Sequence, residues 1–92
     1  MKKLSGSEAR ALRARGSKLE ASATIGKRGL TEENVNIIND AFLKQDLVKI
    51  TIRKSAFENP KEEIEKIAKQ FEAIIVQKLG SSLLLFKLSS ED

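Results

Sequence analysis

Between Val35 and Phe71 the spacing of apolar residues switches from a helical period to a strand period and back, an order that few architectures accept. Val35, Ile38 and Phe42 fall at i, i+3 and i+7, one face of a helix. Leu47 to Arg53 then alternates, with Val48, Ile50 and Ile52 on one face and Lys49, Thr51 and Arg53 on the other, as a half-buried strand does. Ile64, Ile67, Ala68 and Phe71 restore the helical stripe. Ahead of them Asn59-Pro60-Lys61-Glu62 supplies an N-cap, a proline at the first helical position and an acid three residues after the cap. A strand held between two amphipathic helices points to a layered α/β domain.

The flanking segments complete the pattern. Ser7 to Arg15 is rich in helix formers, with Ser7 able to cap and Glu8 in the first turn, and Gly16-Ser17 ends it. Leu19, Ala21, Ala23 and Ile25 recur at every second position, predicting a first strand. Thr31 is a good N-cap for a second helix reaching about Lys44, with Glu32 and Glu33 at its positive end. The third helix is expected from Pro60 to Glu72. Ile74–Leu79 and Leu83–Leu88 flank Gly80-Ser81-Ser82, as in a hairpin. The predicted order is α-β-α-β-α-β-β, an α/β (α+β) fold with a mixed four-stranded sheet on which the second and third helices pack. With 92 residues the chain has room for one core, so residues 1–92 read as one domain, its core about 4–88 and its tail 89–92.

The composition removes whole classes of chemistry. The chain has no His, Cys, Trp or Tyr, so Cys/His nucleophile pairs, Ser-His-Asp triads, imidazole or thiolate metal sites and disulfides are excluded. Asp40, Asp46 and Glu58 stand singly, as surface charges or caps do, and no catalytic set is expected. No run approaches the roughly 20 apolar residues of a spanning helix. Lys2 and Lys3 have no apolar segment behind them, unlike a secretory leader. The expectation is a cytoplasmic protein without cofactor, metal or membrane partner.

The net charge of +4 is unevenly spread. Residues 1–30 carry eight bases against Glu8 and Glu20, a balance of +6, whereas residues 31–92 carry nine bases and eleven acids, a balance of −2. Such asymmetry suits a polyanionic partner, and a solvated helix face would look the same. Within the basic third, Gly26-Lys27-Arg28-Gly29 stands between the first strand and the second helix. Glycines there let the backbone take unusual φ values and let a phosphate approach main-chain N–H groups, while Lys27 and Arg28 add charge. The loop is not a nucleotide-triphosphatase loop, because Ala21 and Arg28 stand where that motif needs Gly and Ser or Thr.

Ile25-Gly26-Lys27-Arg28-Gly29-Leu30-Thr31, a helix, and then Asp46-Leu47-Val48-Lys49-Ile50 resemble the CRM domain, the chloroplast RNA splicing and ribosome maturation module that bacteria and archaea carry as a stand-alone YhbY-like protein. Leu4, Leu12 and Leu19 before the loop also match, as do Val76-Gln77-Lys78-Leu79-Gly80 and Leu84-Leu85-Phe86-Lys87 after it, so the resemblance spans about residues 4–88. It departs at Phe86-Lys87, where the family has Tyr-Arg, and at Asp46, where Glu is usual. The resemblance implies a fold similar to the C-terminal domain of bacterial translation initiation factor three, RNA binding, and association with precursors of the large ribosomal subunit. KH domains share an Ile-Gly-x-x-Gly sequence, but theirs joins two helices, whereas a strand is expected before this one.

The reading is therefore a non-enzymatic, monomeric RNA-binding protein acting on ribosomal RNA, with no small-molecule substrate. Gly26, Lys27, Arg28 and Gly29 would hold the sugar-phosphate backbone, and Arg10, Arg13, Arg15 and Lys18 would extend the positive surface. Lys49 and Arg53 would join if their face of the second strand is open. Phe42 and Phe71 are assigned to the core, leaving Phe57 and Phe86 and little scope for base stacking. The alternative is a protein-binding adaptor that docks on ribosomal or other acidic partners through the basic helix.

Overall fold

The computed structural model describes residues 4–26, 28–53 and 60–87. The expected Asn59 cap, Phe57, Lys27, the last residue of the expected final strand and the tail lie outside them. The observed order is α1 (Gly6–Gly16), β1 (Ala23–Ile25), α2 (Glu32–Lys44), β2 (Leu47–Ile52), α3 (Pro60–Gln70), β3 (Ile74–Leu79) and β4 (Ser82–Phe86). The four strands form one sheet in the order β1-β2-β4-β3, with β1 and β2 parallel and the other two pairings antiparallel. This is the mixed α+β architecture that the period switches predict.

Strand alternation divides the apolar residues between two faces. Ala23, Ile25, Val48, Ile50, Ile52, Leu83 and Leu85 meet Ile38 of α2 and Ile64, Ile67, Ala68 and Phe71 beside them, forming the main core. Phe42 packs against that core with its ring centroid 6.3 Å from that of Phe71. On the opposite face Leu12 of α1 joins Leu47 and Leu84, with Leu4, Leu19, Val76 and Phe86 around them. The first helix thus covers the sheet from the side that α2 and α3 leave free. Leu47, one residue off the β2 stripe, is buried for that reason.

Local chemistry accounts for the places where the boundaries move. The cap of α1 is Ser5 rather than Ser7: its hydroxyl accepts from the Glu8 N–H at 3.1 Å while its own N–H donates to Glu8 Oε1 at 2.9 Å, a capping box. The expected first strand shortens to Ala23–Ile25 because Leu19 turns into the core under α1, whereas Ala23 and Ile25 face the other core. Thr31 caps α2 as expected, with Asn34 as its reciprocal partner. Helix α3 stops at Gln70, two residues early, where Glu72 takes a φ of 55°. Ser82 pairs with Leu79, so the hairpin turn is Gly80-Ser81 and β4 begins one residue sooner than predicted.

Candidate nucleic-acid interface

β1 and β2 run side by side and end together, Ile25 opposite Ile52. The carboxyl ends of parallel strands are where open sheets of this kind present ligand sites. The chain leaves β1 through the Gly26–Gly29 turn, closed by the Gly29 N–H donating to the Gly26 carbonyl at 2.9 Å. Gly29 has a φ of 77°, a conformation that L side chains rarely adopt. Gly26 does not share it, and a Cβ there would meet nothing within 4 Å. The conformational need for glycine therefore rests on Gly29, and the bare backbone at Gly26 leaves room for something outside the chain.

Arg28 is exposed on this turn. Arg53, also exposed, follows β2, and its main-chain N–H donates to the Ile25 carbonyl at 3.0 Å, which sets it beside the start of the turn. The β3–β4 hairpin reaches the same end, since the Ile52 N–H donates to the Ser81 carbonyl at 2.7 Å. That third element was not legible as part of the site, because single-strand patterns carry no inter-strand register. Glu32 and Glu33 remain exposed in the first turn of α2, whose N-terminus is closed by the Thr31–Asn34 box.

The other expected residues part company. Arg10 and Lys18 are exposed and Arg13 half-buried, and none of them has an ion pair among the described residues. Arg15 donates to Asp46 Oδ1 at 2.8 Å. Asp46 precedes β2, so this pair lies at the opposite end of the strand from Arg53, about 23 Å away along it at ~3.3 Å per residue. Lys49 does not face open solvent: α1 covers its part of the sheet, and its ammonium donates to the carbonyls of Gly16 and Leu19, each at 3.3 Å. The condition set for Lys49, an open strand face, fails there, while Arg53 is free of that cover. Phe86 is half-buried in the core beneath α1, away from any stacking role.

A small three-helix, four-stranded domain with a glycine-bounded cationic turn at its parallel strand ends defines a class of α+β module. The chain belongs to the CRS1 / YhbY (CRM) domain family, whose model matches residues 4–87. It is 26% identical over 89 residues to a Bacillus subtilis protein named "Probable RNA-binding protein YqeI", covering 97% of this chain and 93% of that one. It is 33% identical over 88 residues to a Methanocaldococcus jannaschii protein named "Probable RNA-binding protein MJ0652", covering 94% of this chain and 65% of that one. Its fold is similar to the solution structure of the hypothetical protein SAV1595 from Staphylococcus aureus, described there as a candidate RNA-binding protein. The TM-score is 0.80 at 27% identity, over 98% of this chain and 94% of the other.

Proposed function

We propose that the protein is a non-enzymatic RNA-binding module that grips the sugar-phosphate backbone at the Gly26–Gly29 turn and acts on ribosomal RNA in precursors of the large ribosomal subunit. The observation that carries this reading is the turn itself, set at the paired ends of β1 and β2 with Arg28 and Arg53 exposed beside it. Two exposed guanidinium groups beside a bare glycine backbone suit a phosphate, which offers charge and several acceptor oxygens. Family membership and the names of the relatives support RNA as the polyanion. Arg10, Arg13 and Lys18, without ion pairs among the described residues, would add longer-range attraction.

Salt titration of binding to a ribosomal RNA fragment tests the reading. For every phosphate that a Lys27→Ala, Arg28→Ala double variant no longer neutralises, the slope of log K against log salt should flatten by roughly 0.7 to 0.9. Unchanged affinity and slope in that variant would remove the turn from the site. Capture of ribosomal proteins with no RNA affinity would favour the adaptor alternative.

A further inference from the structure

Four side chains line up across the sheet at its turn-bearing end. Thr24 pairs with Thr51, Thr51 with Ser82, and Ser82 with Leu79, so a single row crosses β1, β2, β4 and β3. Strands lie ~4.8 Å apart, which makes the row about 14 Å long. It lies on the α1 side, because the chain neighbours Ala23, Ile25, Ile50, Ile52 and Leu83 are all buried on the other.

The row is partly open. Thr24 is exposed, Thr51 and Ser82 are half-buried, and Leu79 is 67% exposed. Cover by α1 stops one step short, at Lys49, whose ammonium is held under Gly16 and Leu19. Among the described residues the hydroxyls of Thr24, Thr51 and Ser82 make no hydrogen bond. A row of three hydroxyls without partners among the described residues therefore begins beside Arg53 and the Gly26–Gly29 turn and ends on the apolar Leu79.

We infer that this row is a ribose-reading strip: the Thr24, Thr51 and Ser82 hydroxyls exchange hydrogen bonds with 2′-hydroxyls of RNA whose phosphates are held at the turn, while Leu79 packs against a sugar or base at the far end. The inference rests on the RNA-binding reading above. Cations at the turn attract DNA and RNA alike, since both carry phosphate. A hydroxyl both donates and accepts, as the 2′-hydroxyl does, and that group is what separates RNA from DNA at a given site. Against DNA the same hydroxyls would be covered without a partner, which penalises the wrong polymer.

The test compares a stem-loop RNA with the DNA of the same sequence, by fluorescence anisotropy, on the full chain. The wild type is expected to prefer RNA. A Thr24→Val, Thr51→Val, Ser82→Ala variant keeps strand-compatible side chains and every charge. It should bind RNA about tenfold more weakly, with DNA affinity no lower than that of the wild type and the salt slope unchanged. Thr24→Val alone, at an exposed position, should show a smaller loss of the same selective kind and serves if the triple variant fails to fold. Equal losses for RNA and DNA, no loss for either, or a wild type indifferent to the sugar would overturn the strip. A wild type that binds neither polymer would overturn the parent reading as well. Loss of both polymers in the Lys27→Ala, Arg28→Ala variant, with none in the triple variant, would overturn the strip alone.

Discussion

Gly16 packs its backbone directly against the side chain of Leu84: a Cβ built on Gly16 would stand 2.8 Å from Leu84 Cδ1 and 3.1 Å from Cγ. Leu84 is buried between α1 and the sheet and has little room to withdraw. Gly16→Ala should therefore overpack this site, at about 1–3 kcal/mol. The better helix propensity of alanine returns at most ~1 kcal/mol, so a net loss remains. Urea unfolding should show a lower midpoint at unchanged slope.

Lys49→Met keeps an apolar stem of similar length and removes the ammonium from the Gly16 and Leu19 carbonyls. The Leu19 carbonyl loses this donor, while that of Gly16 keeps the Leu19 N–H at 3.1 Å, so the predicted loss is about 1–3 kcal/mol. Amides of α1 should lose hydrogen-exchange protection before those of β2 and β4, since α1 is what the lysine ties down. An unchanged pattern of protection would show that water replaces the ammonium adequately.

Helix α3 ends in a Schellman arrangement, with the Ala73 N–H on the Ala68 carbonyl at 2.8 Å and the Glu72 N–H on that of Lys69 at 3.1 Å. The left-handed position is held by Glu72, φ 55°, where glycine is usual. A side chain there costs roughly 1–2 kcal/mol. Glu72→Gly should thus stabilise the domain by about 0.5–1 kcal/mol after the larger unfolded-state entropy of glycine is counted, read as a raised melting temperature.

These features mark what a sequence can and cannot carry. The stripes of Ile38, Ile64, Ile67 and Phe71 and the alternation of β2 are periodic, so α2, α3 and β2 were legible, and the mixed sheet with them. Leu19 obeys the same period as Ala23 and Ile25 yet serves the opposite core, and only the placement of α1 decides that. The turn at Gly26–Gly29 was legible from composition. Its neighbours were not: Arg53 and Ser81 reach it through the register of β1, β2 and β4, and Arg15 and Lys49 are drawn away from it by partners about 30 residues distant in sequence.

The two glycines of the turn should behave differently. Gly29→Ala forces a Cβ into a φ of 77°, predicting a stability loss of roughly 1–2 kcal/mol. Gly26→Ala meets neither a positive φ nor a neighbouring atom, so its stability should stay within about 0.5 kcal/mol of wild type or rise slightly. If phosphate approaches the bare backbone there, Gly26→Ala should nonetheless weaken RNA binding severalfold. A stable Gly26→Ala protein with full affinity would place the phosphate elsewhere.

Arg53 and Arg15 offer the sharpest contrast within the basic set, because both are exposed guanidinium groups near opposite ends of β2 and, among the described residues, only Arg15 is paired. Arg53 stands beside the turn with no ion pair among the described residues, so Arg53→Ala should flatten the salt dependence of RNA binding by roughly 0.7 to 0.9 and leave stability nearly unchanged. Arg15 is engaged by Asp46, and its ion pair, more than two-fifths exposed on each side, is worth no more than about 1 kcal/mol. Arg15→Ala should therefore trim stability slightly while the salt slope stays at the wild-type value. Equal slopes for the two variants would mean that RNA lies along the full length of β2 and α1, and the site would no longer be confined to the turn.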